Sequence, residues 1–565
     1  MLPERGGWLV PVLVVALLTG ALLLRAVDLG ADPPADLSWS YAIYSDEAHN
    51  NYTARNLALY GTWKADGYIP YVVYPLTNAL TFLSFKLFGV GLVQIRLVAL
   101  LAGALCIWAI YWLVRRGSGR IAGIITALFA ATCYPLVMYS RLGLVEILQV
   151  LFLLLAGGFL VRGWQRPSKM VLAGFFAAGT ALFVKISGLF VLPAVVVVFG
   201  WRLLEQRSDR AALGCTLRSF GWWTLGVVGA ATIWLVVVFL PHRADYIEYV
   251  IRHSLEAPAG HPANLGDFLL NVLTMGAGPR FLARIGFALV IGMPLLAPLA
   301  AGKRDGLRYL LACSVLGMLM LGYMNYHPPR YELFLIPALL AGLGVAIAQF
   351  LERGVVIPRT HASAGKALLV ALWLWLFAGQ IGVQTGGFWG LARPDSRGSF
   401  VVVMLVIGAV VAAGGYLLQR ALKRDVTIGN RVTRVVVVGI ALLLVLRLDF
   451  AQYLRWTGQR THHMRDYSIE LDRMLPDDAV LGGFWAPALL VNSRKRALFI
   501  GEQWAANTDD PVGRYGVTHL VSHGDNDVKL FERLYPGQIG RARELRAFAV
   551  RGSVVRVFEL SPPGR

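Results

Sequence analysis

Apolar runs long enough to cross a lipid bilayer recur from one end of this 565-residue chain to the other. A hydrocarbon core of about 30 Å needs roughly 20 apolar residues in a helix, and inside it every backbone polar group must be bonded within the segment. A chain patterned this way folds as a bundle of spanning helices. The composition agrees, with 57% apolar and 15% charged residues and a mean hydropathy of +0.59. We read about thirteen spans on this criterion, near 8–27, 92–114, 121–139, 143–161, 170–184, 187–201, 221–240, 285–302, 309–324, 332–351, 367–385, 399–418 and 435–448. The fifth and sixth are short, two spans or one broken hairpin, so the count is good to about one.

Basic residues near span ends stay on the cytoplasmic side, which fixes the expected orientation. Alternate loops carry Arg115, Arg116 and Arg120; Arg162, Arg166 and Lys169; Arg202, Arg207, Arg210 and Arg218; Lys303, Arg304 and Arg308; Arg353, Arg359 and Lys366; and Arg420, Lys423, Arg424, Arg431 and Arg434. With those loops inside, the N-terminus is cytoplasmic, and 28–91, 241–284 and 449–565 are outside. The chain is then a multi-pass protein of the cell (inner or plasma) membrane. Much of the net charge of +20 is this topological bias, so it calls for no nucleic-acid partner, and no nucleic-acid module is recognisable.

The first apolar run follows Glu4-Arg5 in the manner of a secretory signal, but it is about twenty residues long and lacks a clean small-x-small cleavage site. It is therefore expected to stay. All four cysteines (Cys106, Cys133, Cys215, Cys313) fall in spans or on the cytoplasmic side, so disulfides do not hold the outer segments. The organisation is a membrane domain, 1–449, followed by an extracytoplasmic domain, 450–565. In the latter, helix-like and strand-like patterns alternate over Asp466–Arg473, Ala479–Leu481, Leu498–Ile500, Val517–Val521, Val528–Leu534 and Val554–Phe558, predicting a small α/β fold. The outer loop 28–91 carries two amphipathic stretches, His49–Tyr60 and Leu76–Phe88, too polar to span and suited to the interface. They are expected to hold Asp46-Glu47, in Ser45-Asp46-Glu47-Ala48-His49, as a turn at the level of the lipid headgroups.

Ionisable residues in or beside spans need an edge, a partner or a function. Arg141 and Glu146 open the fourth span, Lys185 closes the fifth, and Arg330 opens the tenth after Tyr326-His327-Pro328-Pro329. All these ends face outward, at the depth of Asp46, Glu47 and His49. If they converge laterally they make a pocket of carboxylates and cations. A carboxylate there can take a proton from an attacking hydroxyl or amine while cations stabilise a departing phosphate. Outside the cell there is no supply of nucleotide sugars, so a donor for such a transfer must come through the membrane, as a lipid-linked phosphate sugar does.

Short motifs in order along the first 350 residues sharpen this. They are Ser45-Asp46-Glu47-Ala48, Ala54-Arg55-Asn56-Leu57 and Gly61-Thr62-Trp63; then Tyr74-Pro75-Leu76, Lys86-Leu87-Phe88-Gly89 and Ile95-Arg96-Leu97; then Tyr139-Ser140-Arg141 with Glu146, Phe183-Val184-Lys185 with Gly188 and Pro193, and Pro329-Arg330-Tyr331 with Pro337. In this order and spacing the chain resembles a GT-C glycosyltransferase of the protein O-mannosyltransferase and lipid A aminoarabinose transferase superfamily (glycosyltransferase family 39-like). The resemblance implies an α-helical polytopic membrane enzyme that transfers a sugar, with inversion, from a polyprenyl-phosphate donor to a protein, lipid or glycan acceptor of the cell envelope. It implies Asp46 as the catalytic base, Glu146 as a second essential acid, and Lys185 and Arg330 against the donor phosphate or the carboxylates; Glu47 is the other catalytic member of the acid pair, read as orienting its neighbour or the acceptor. His49, Arg96, Arg141, Arg252, His253 and Tyr331 complete the candidate contacts to the donor or substrate. Two positions depart from the aminoarabinose transferases. Val72-Val73 stands where a Lys precedes their Pro-Pro-Leu, and His49 stands where they carry Arg, which weakens the implication of a lipid A acceptor and an aminoarabinose donor.

Each residue also has a plainer reading. Asp46-Glu47 also fits a solvated turn or helix cap, Glu146 and Lys185 a structural ion pair, and Arg141 and Arg330 snorkelling cations; Arg96 is open between the two. Arg252-His253, flanked by Glu248 and Glu256, also fits a solvated interfacial face. Asp46, Glu47 and His49 could ligate a metal, but no second cluster with ligand spacing completes a site, so the expectation is no required cofactor, a divalent metal remaining possible. A polytopic transporter would gather its charges near the midplane around broken helices, unlike this chain, and a non-catalytic assembly protein of an envelope glycan pathway is the remaining alternative. In the tail, Gly482-Gly483-Phe484-Trp485 and Gly501-Glu502-Gln503-Trp504 place Trp near strand ends, to stack on an acceptor or, as we favour, to pack against the membrane domain.

Overall fold

The computed structural model describes residues 9–247, 261–274, 304–357 and 426–561, apart from 36, 39, 327, 429, 502–506, 535 and 538, with a few isolated positions besides. Helix α1 (Leu9–Ala26) leads into a loop built of α2 (Ala42–Asn50), α3 (Tyr52–Tyr60), a 3-10 turn Pro70–Val72 and α4 (Pro75–Phe88). The bundle continues with α5 (Leu92–Ser118), α6 (Arg120–Thr132), α7 (Tyr134–Tyr139), α8 (Glu146–Gly163), α9 (Pro167–Gly179), α10 (Val191–Glu205) and α11 (Arg210–Trp234), then Asp305–Gly322, Leu335–Arg353 and Arg431–Gln459. Among the described residues eight helices are long and apolar enough to cross a membrane, with α1 and α6 as shorter apolar helices. The expected spans 285–302, 367–385 and 399–418 lie outside the described residues.

Buried share separates the centre of the bundle from its rim. The α8 span is 72% buried and the Arg210–Phe239 span only 22%, so α8 is central and α11 presents most of its surface outward. Small residues permit the tightest crossing, between α9 and α11. A Cβ added at Gly226 would lie 1.9 Å from the Val171 carbonyl oxygen, and one at Gly174 2.0 Å from that of Trp223. Without a hydrophobic drive between helices in lipid, such backbone-to-backbone packing is what holds them together.

Two spans are broken where the sequence reading had them continuous or merely short. The predicted 121–139 span is α6 and α7, parted at Cys133 with Pro135 in the first turn of α7. Two buried polar side chains close the break. Arg25 donates to the last carbonyls of α6, Nη1 to Ala131 at 2.8 Å and Nη2 to Ala130 at 3.1 Å, and Asp449 accepts the Tyr134 N–H at 3.2 Å. Each satisfies orphan backbone groups at the helix end it meets. The predicted 170–184 and 187–201 pair is also interrupted, at Lys185. There α9 widens into a π-type turn (Thr180–Val184), Lys185 is extended (φ −160°, ψ 130°), and a 3-10 turn (Ile186–Phe190) leads into α10.

The tail folds as expected into a small α/β unit. After the helix His463–Met474 come β3 (Val480–Gly482), β4 (Arg496–Leu498), β5 (His519–His523), the helix Gly524–Leu534, β6 (Arg543–Val550) and β7 (Ser553–Glu559); a separate short pair is β1 (Val355–Ile357) with β2 (Val426–Ile428). The sheet order is β4-β3-β5-β7-β6, with β3 parallel to β4 and β5 and the β5–β7 and β7–β6 pairs antiparallel. β6 went unread in the sequence because Arg543, Glu544 and Arg546 break its apolar alternation. Those charges suit an edge strand, where they guard against pairing with another chain.

The first loop and the tail share one core. Ala48, Tyr52, Tyr68, Ile69, Leu92 and Ile95 are buried in the same cluster as Leu471, Trp485, Phe499 and Phe548. The Arg55 guanidinium donates to the Ser493 and Lys495 carbonyls at 2.7 and 2.9 Å, and the Tyr52 hydroxyl to that of Ala497 at 2.7 Å. Trp485, 1% exposed, is therefore part of that core and not a stacking platform for an acceptor; Trp504 lies outside the described residues.

Candidate functional site

Asp46 and Glu47 lie inside α2, a nine-residue helix, and not in the expected turn. Adjacent helical residues point about 100° apart, and here they have different surroundings. Glu47 turns inward, 2% exposed. Its carboxylate meets the Arg96 guanidinium side-on, Oε1 to Nε at 2.8 Å and Oε2 to Nη2 at 2.6 Å, and Oε1 also accepts the Gly143 N–H at 2.6 Å. The remaining Arg96 donor, Nη1, bonds the Leu29 and Ala31 carbonyls. This buried bidentate pair fastens α2, α5 and the α7–α8 connection to one another, with every nitrogen of Arg96 already bonded.

Asp46 faces the other way, with its side chain 20% exposed. Its Oδ2 pairs with Arg330 Nη2 at 2.7 Å, and Oδ1 is 4.0 Å from His49 Nδ1. Arg330 stands in a 3-10 turn, Pro329–Glu332, just before the helix Leu335–Arg353. Its Nε approaches Glu146 Oε1 at 3.7 Å, and the same oxygen accepts from Lys185 Nζ at 2.8 Å. The Lys185 ammonium lies 3.6 Å from the centre of the Tyr331 ring. Four segments distant in sequence thus meet in one row, Asp46, Arg330, Glu146, Lys185, of alternating charge. Burial disfavours the Arg330 charge, but Asp46 and the neighbouring tyrosines and Glu146 outweigh it and hold the guanidinium protonated.

The break in the fifth and sixth spans explains how Lys185 reaches this row. The extended backbone at Lys185 interrupts the helix there, and its side chain reaches the start of α8. Glu146 is the first residue of α8, where a carboxylate is stabilised by the helix N-terminus. Two atoms of the row are buried with no hydrogen-bond partner, Arg330 Nη1 and Glu146 Oε2. Buried polar groups in folded proteins are nearly always paired, so this donor and this acceptor are the positions at which a bound molecule can be held.

His49 is buried in the joint between the loop and the tail. Its Nε2 lies 2.7 Å from the Phe484 carbonyl, and the rings of Phe484, Phe499 and Tyr68 stand edge-on around it at 4.7, 5.1 and 6.2 Å. Burial works against its charged form and, with Asp46 pulling the other way, leaves it below the ordinary histidine value. Arg141 joins a different network: its guanidinium donates to the Arg25 and Asp28 carbonyls at 2.7 and 2.8 Å and lies 4.2 Å from the Trp456 ring centre. Of the expected cluster, then, Asp46, Glu146, Lys185, Arg330 and Tyr331 come together, His49 abuts Asp46, and Glu47, Arg96 and Arg141 are tied up beside it. Arg252 and His253 lie outside the described residues. Sequence reasoning missed Ser40 and Tyr74. Ser40 Oγ lies 3.0 Å from the Tyr326 hydroxyl, itself 3.4 Å from Arg330 Nη2. Tyr74 is half-buried within the electrostatic reach of Lys185, Tyr331 and Glu146. Its only signal was its place in Tyr74-Pro75-Leu76.

Residues 72–238 match the family model described as dolichyl-phosphate-mannose-protein mannosyltransferase, a stretch that holds Arg96, Arg141, Glu146 and Lys185 and ends before Arg330. A search of curated proteins returns no significant match. Among solved structures, ArnT from Cupriavidus metallidurans bound to undecaprenyl phosphate is similar over 98% of both chains, with a TM-score of 0.58 and 16% identity. The same protein in the apo state gives 0.57 and 17%, again over 98% of both chains. The resemblance read from the motifs is borne out in the fold, which is of the GT-C type shared with ArnT.

Proposed function

We propose that this chain is a membrane glycosyltransferase that moves a sugar from a polyprenyl-phosphate donor to a protein, lipid or glycan acceptor on the outer face of the membrane. The observation that carries the reading is the row Asp46–Arg330–Glu146–Lys185. One carboxylate, Asp46, is partly exposed while the other three groups are buried, and Arg330 Nη1 and Glu146 Oε2 are unpartnered.

In this reading Asp46 takes the proton of the acceptor hydroxyl or amine as that atom attacks the anomeric carbon. The bond from carbon to phosphate oxygen breaks, and the electron pair leaves with the polyprenyl phosphate. The cations Arg330 and Lys185 are already fixed when charge develops on the phosphate, so they stabilise it without reorganising. Arg330 Nη1 is free for a phosphate oxygen and Glu146 Oε2 for a sugar hydroxyl. Glu47 and Arg96 hold α2 in place. The matched family, and the fold shared with a protein crystallised with undecaprenyl phosphate, favour a lipid-phosphate donor. The distribution of basic residues between span ends favours the outer face.

The test is turnover of the purified full-length protein in detergent with a polyprenyl-phosphate sugar. Asp46→Asn should abolish release of polyprenyl phosphate while leaving the melting temperature within a degree or two. Because no metal is assigned a role, the wild-type rate should also survive excess EDTA. Unchanged turnover in Asp46→Asn sinks the assignment of the base.

A further inference from the structure

The His49 side chain lies where the site and the tail meet, and its hydrogen bond decides which of its nitrogens is free. Phe484 contributes a carbonyl, which can only accept, so Nε2 carries the proton and donates to it at 2.7 Å. In the neutral ring Nδ1 is then an unprotonated lone pair, and it stands 4.0 Å from Asp46 Oδ1. Two acceptors facing each other at that distance, with His49 4% exposed, are an arrangement that gains a hydrogen bond only when a proton arrives between them.

The tail is built to present that carbonyl. Gly482-Gly483-Phe484-Trp485 leaves the end of β3 with Gly483 at φ +139°, and a Cβ there would fall 2.4 Å from the Val521 carbonyl oxygen. Only glycine permits this turn, which sets Phe484 over α2 with Trp485 buried behind it. The strand-end motif thus serves the site through its backbone.

We propose that His49 receives, by way of Asp46, the proton removed from the acceptor, and that the C-terminal domain sets this up by holding the His49 Nε2–H on the Phe484 carbonyl. The proposal rests on Asp46 as the base. The acceptor's oxygen or nitrogen forms its bond to the anomeric carbon, the phosphate leaves with its electron pair, and the proton moves to Asp46 Oδ1 and then to His49 Nδ1. The imidazolium formed keeps its Nε2–H on Phe484 and faces the restored carboxylate of Asp46. Its proton returns through the exposed edge of Asp46 to water after product release. The charged group facing His49 is Asp46, on its own helix. The tail presents the rings of Phe484 and Phe499 and the Phe484 carbonyl, and the segment before the Pro70–Val72 turn presents the Tyr68 ring.

The sign is fixed by the mechanism. His49 must be neutral to accept, so activity falls as pH drops through its pKa, below the ordinary histidine range. In the wild type kcat should therefore fall at the acid end of the pH profile. His49→Gln keeps an amide donor for Phe484 and removes the Nδ1 base. In a variant shown by its melt to be folded, it should lower kcat at least about tenfold with KM little changed and change the acid limb of the profile. A wild-type kcat that does not fall as pH drops below the ordinary histidine range overturns the proposal by itself, whether or not the variant folds, and so does a folded His49→Gln that keeps the wild-type rate and profile. Asp46→Asn measured alongside separates the two readings. An inactive Asp46→Asn beside an unaffected His49→Gln removes His49 only, whereas a fully active Asp46→Asn removes the base and the relay with it.

Discussion

Asp66 shows how a buried carboxylate can be structural in this protein. It accepts from the Tyr68 N–H at 2.7 Å and from the Asn507 amide at 3.1 Å, and it shares a hydrogen bond with the Tyr52 hydroxyl, whose one proton goes either to it or to the Ala497 carbonyl, at the joint of loop and tail. Burial raises its pKa despite these bonds. Because folding disfavours its charged form relative to the unfolded chain, its contribution is fully present below the ordinary carboxylate range and is lost as pH rises through the raised value. Asp66→Asn should therefore flatten the stability-versus-pH curve in that window without loss, since the new amide can donate to Tyr52, whose hydroxyl also reaches the Ala497 carbonyl. Asp66→Ala, which orphans the Asn507 amide and the Tyr68 N–H, should cost about 1–3 kcal/mol. Thermal melts of the three proteins between pH 4 and 8 check both. The contrast between Asp46 and Glu47 is of the same kind and was not legible in the sequence. Span ends and basic residues gave an expected depth that is the same for both. Which of them turned toward Arg96 depended on the phase of a short helix whose both faces are covered, and no apolar stripe announces that phase.

At the level of elements, the sequence revealed lengths, ends and the junction at Lys185, and concealed the break at Cys133. Hydropathy is blind to that parting because the apolar content continues through it, and it shows neither the π-type turn nor the extended residue by which the Lys185 junction is made. What marks those places is the charge nearby: Arg25 and Asp449 on two other helices, Glu146 on a third. Arg141 and Arg330 looked alike as cations opening spans, yet one caps carbonyls and the other pairs with Asp46, because lateral position is set by packing. The α9–α11 crossing gives the clearest test of that packing. Gly226→Leu should wedge the helices apart, at a cost of about 1–3 kcal/mol or more. Lys185, which follows α9, should then be displaced, so turnover should fall further than the melting temperature suggests. A variant with wild-type melting and wild-type turnover would contradict the assigned contact.

For the molecule as a whole, the boundary read near residue 450 divides the chain by polarity, whereas packing joins the two sides of it. The last membrane helix runs on to Gln459, and the tail completes the core of the first loop instead of standing apart as a docking module. Removing everything after Gln459 should therefore leave a membrane-inserted chain with no transferase activity. Its first loop should be cut by protease between about residues 40 and 75, whereas the full-length protein resists; a protected loop in the truncated chain would show that the two fold independently. The shared core also has a consequence for biosynthesis. Residues 48–95 are made early, whereas their packing partners at 464–557 follow far later in the chain. Contacts so distant in sequence form slowly. Asp46 and Arg330 can be brought together before the tail is made, but His49 lacks its carbonyl until β3 and Phe484 have followed. Each new copy thus passes through a stage in which the first loop stands without the core that later fixes it.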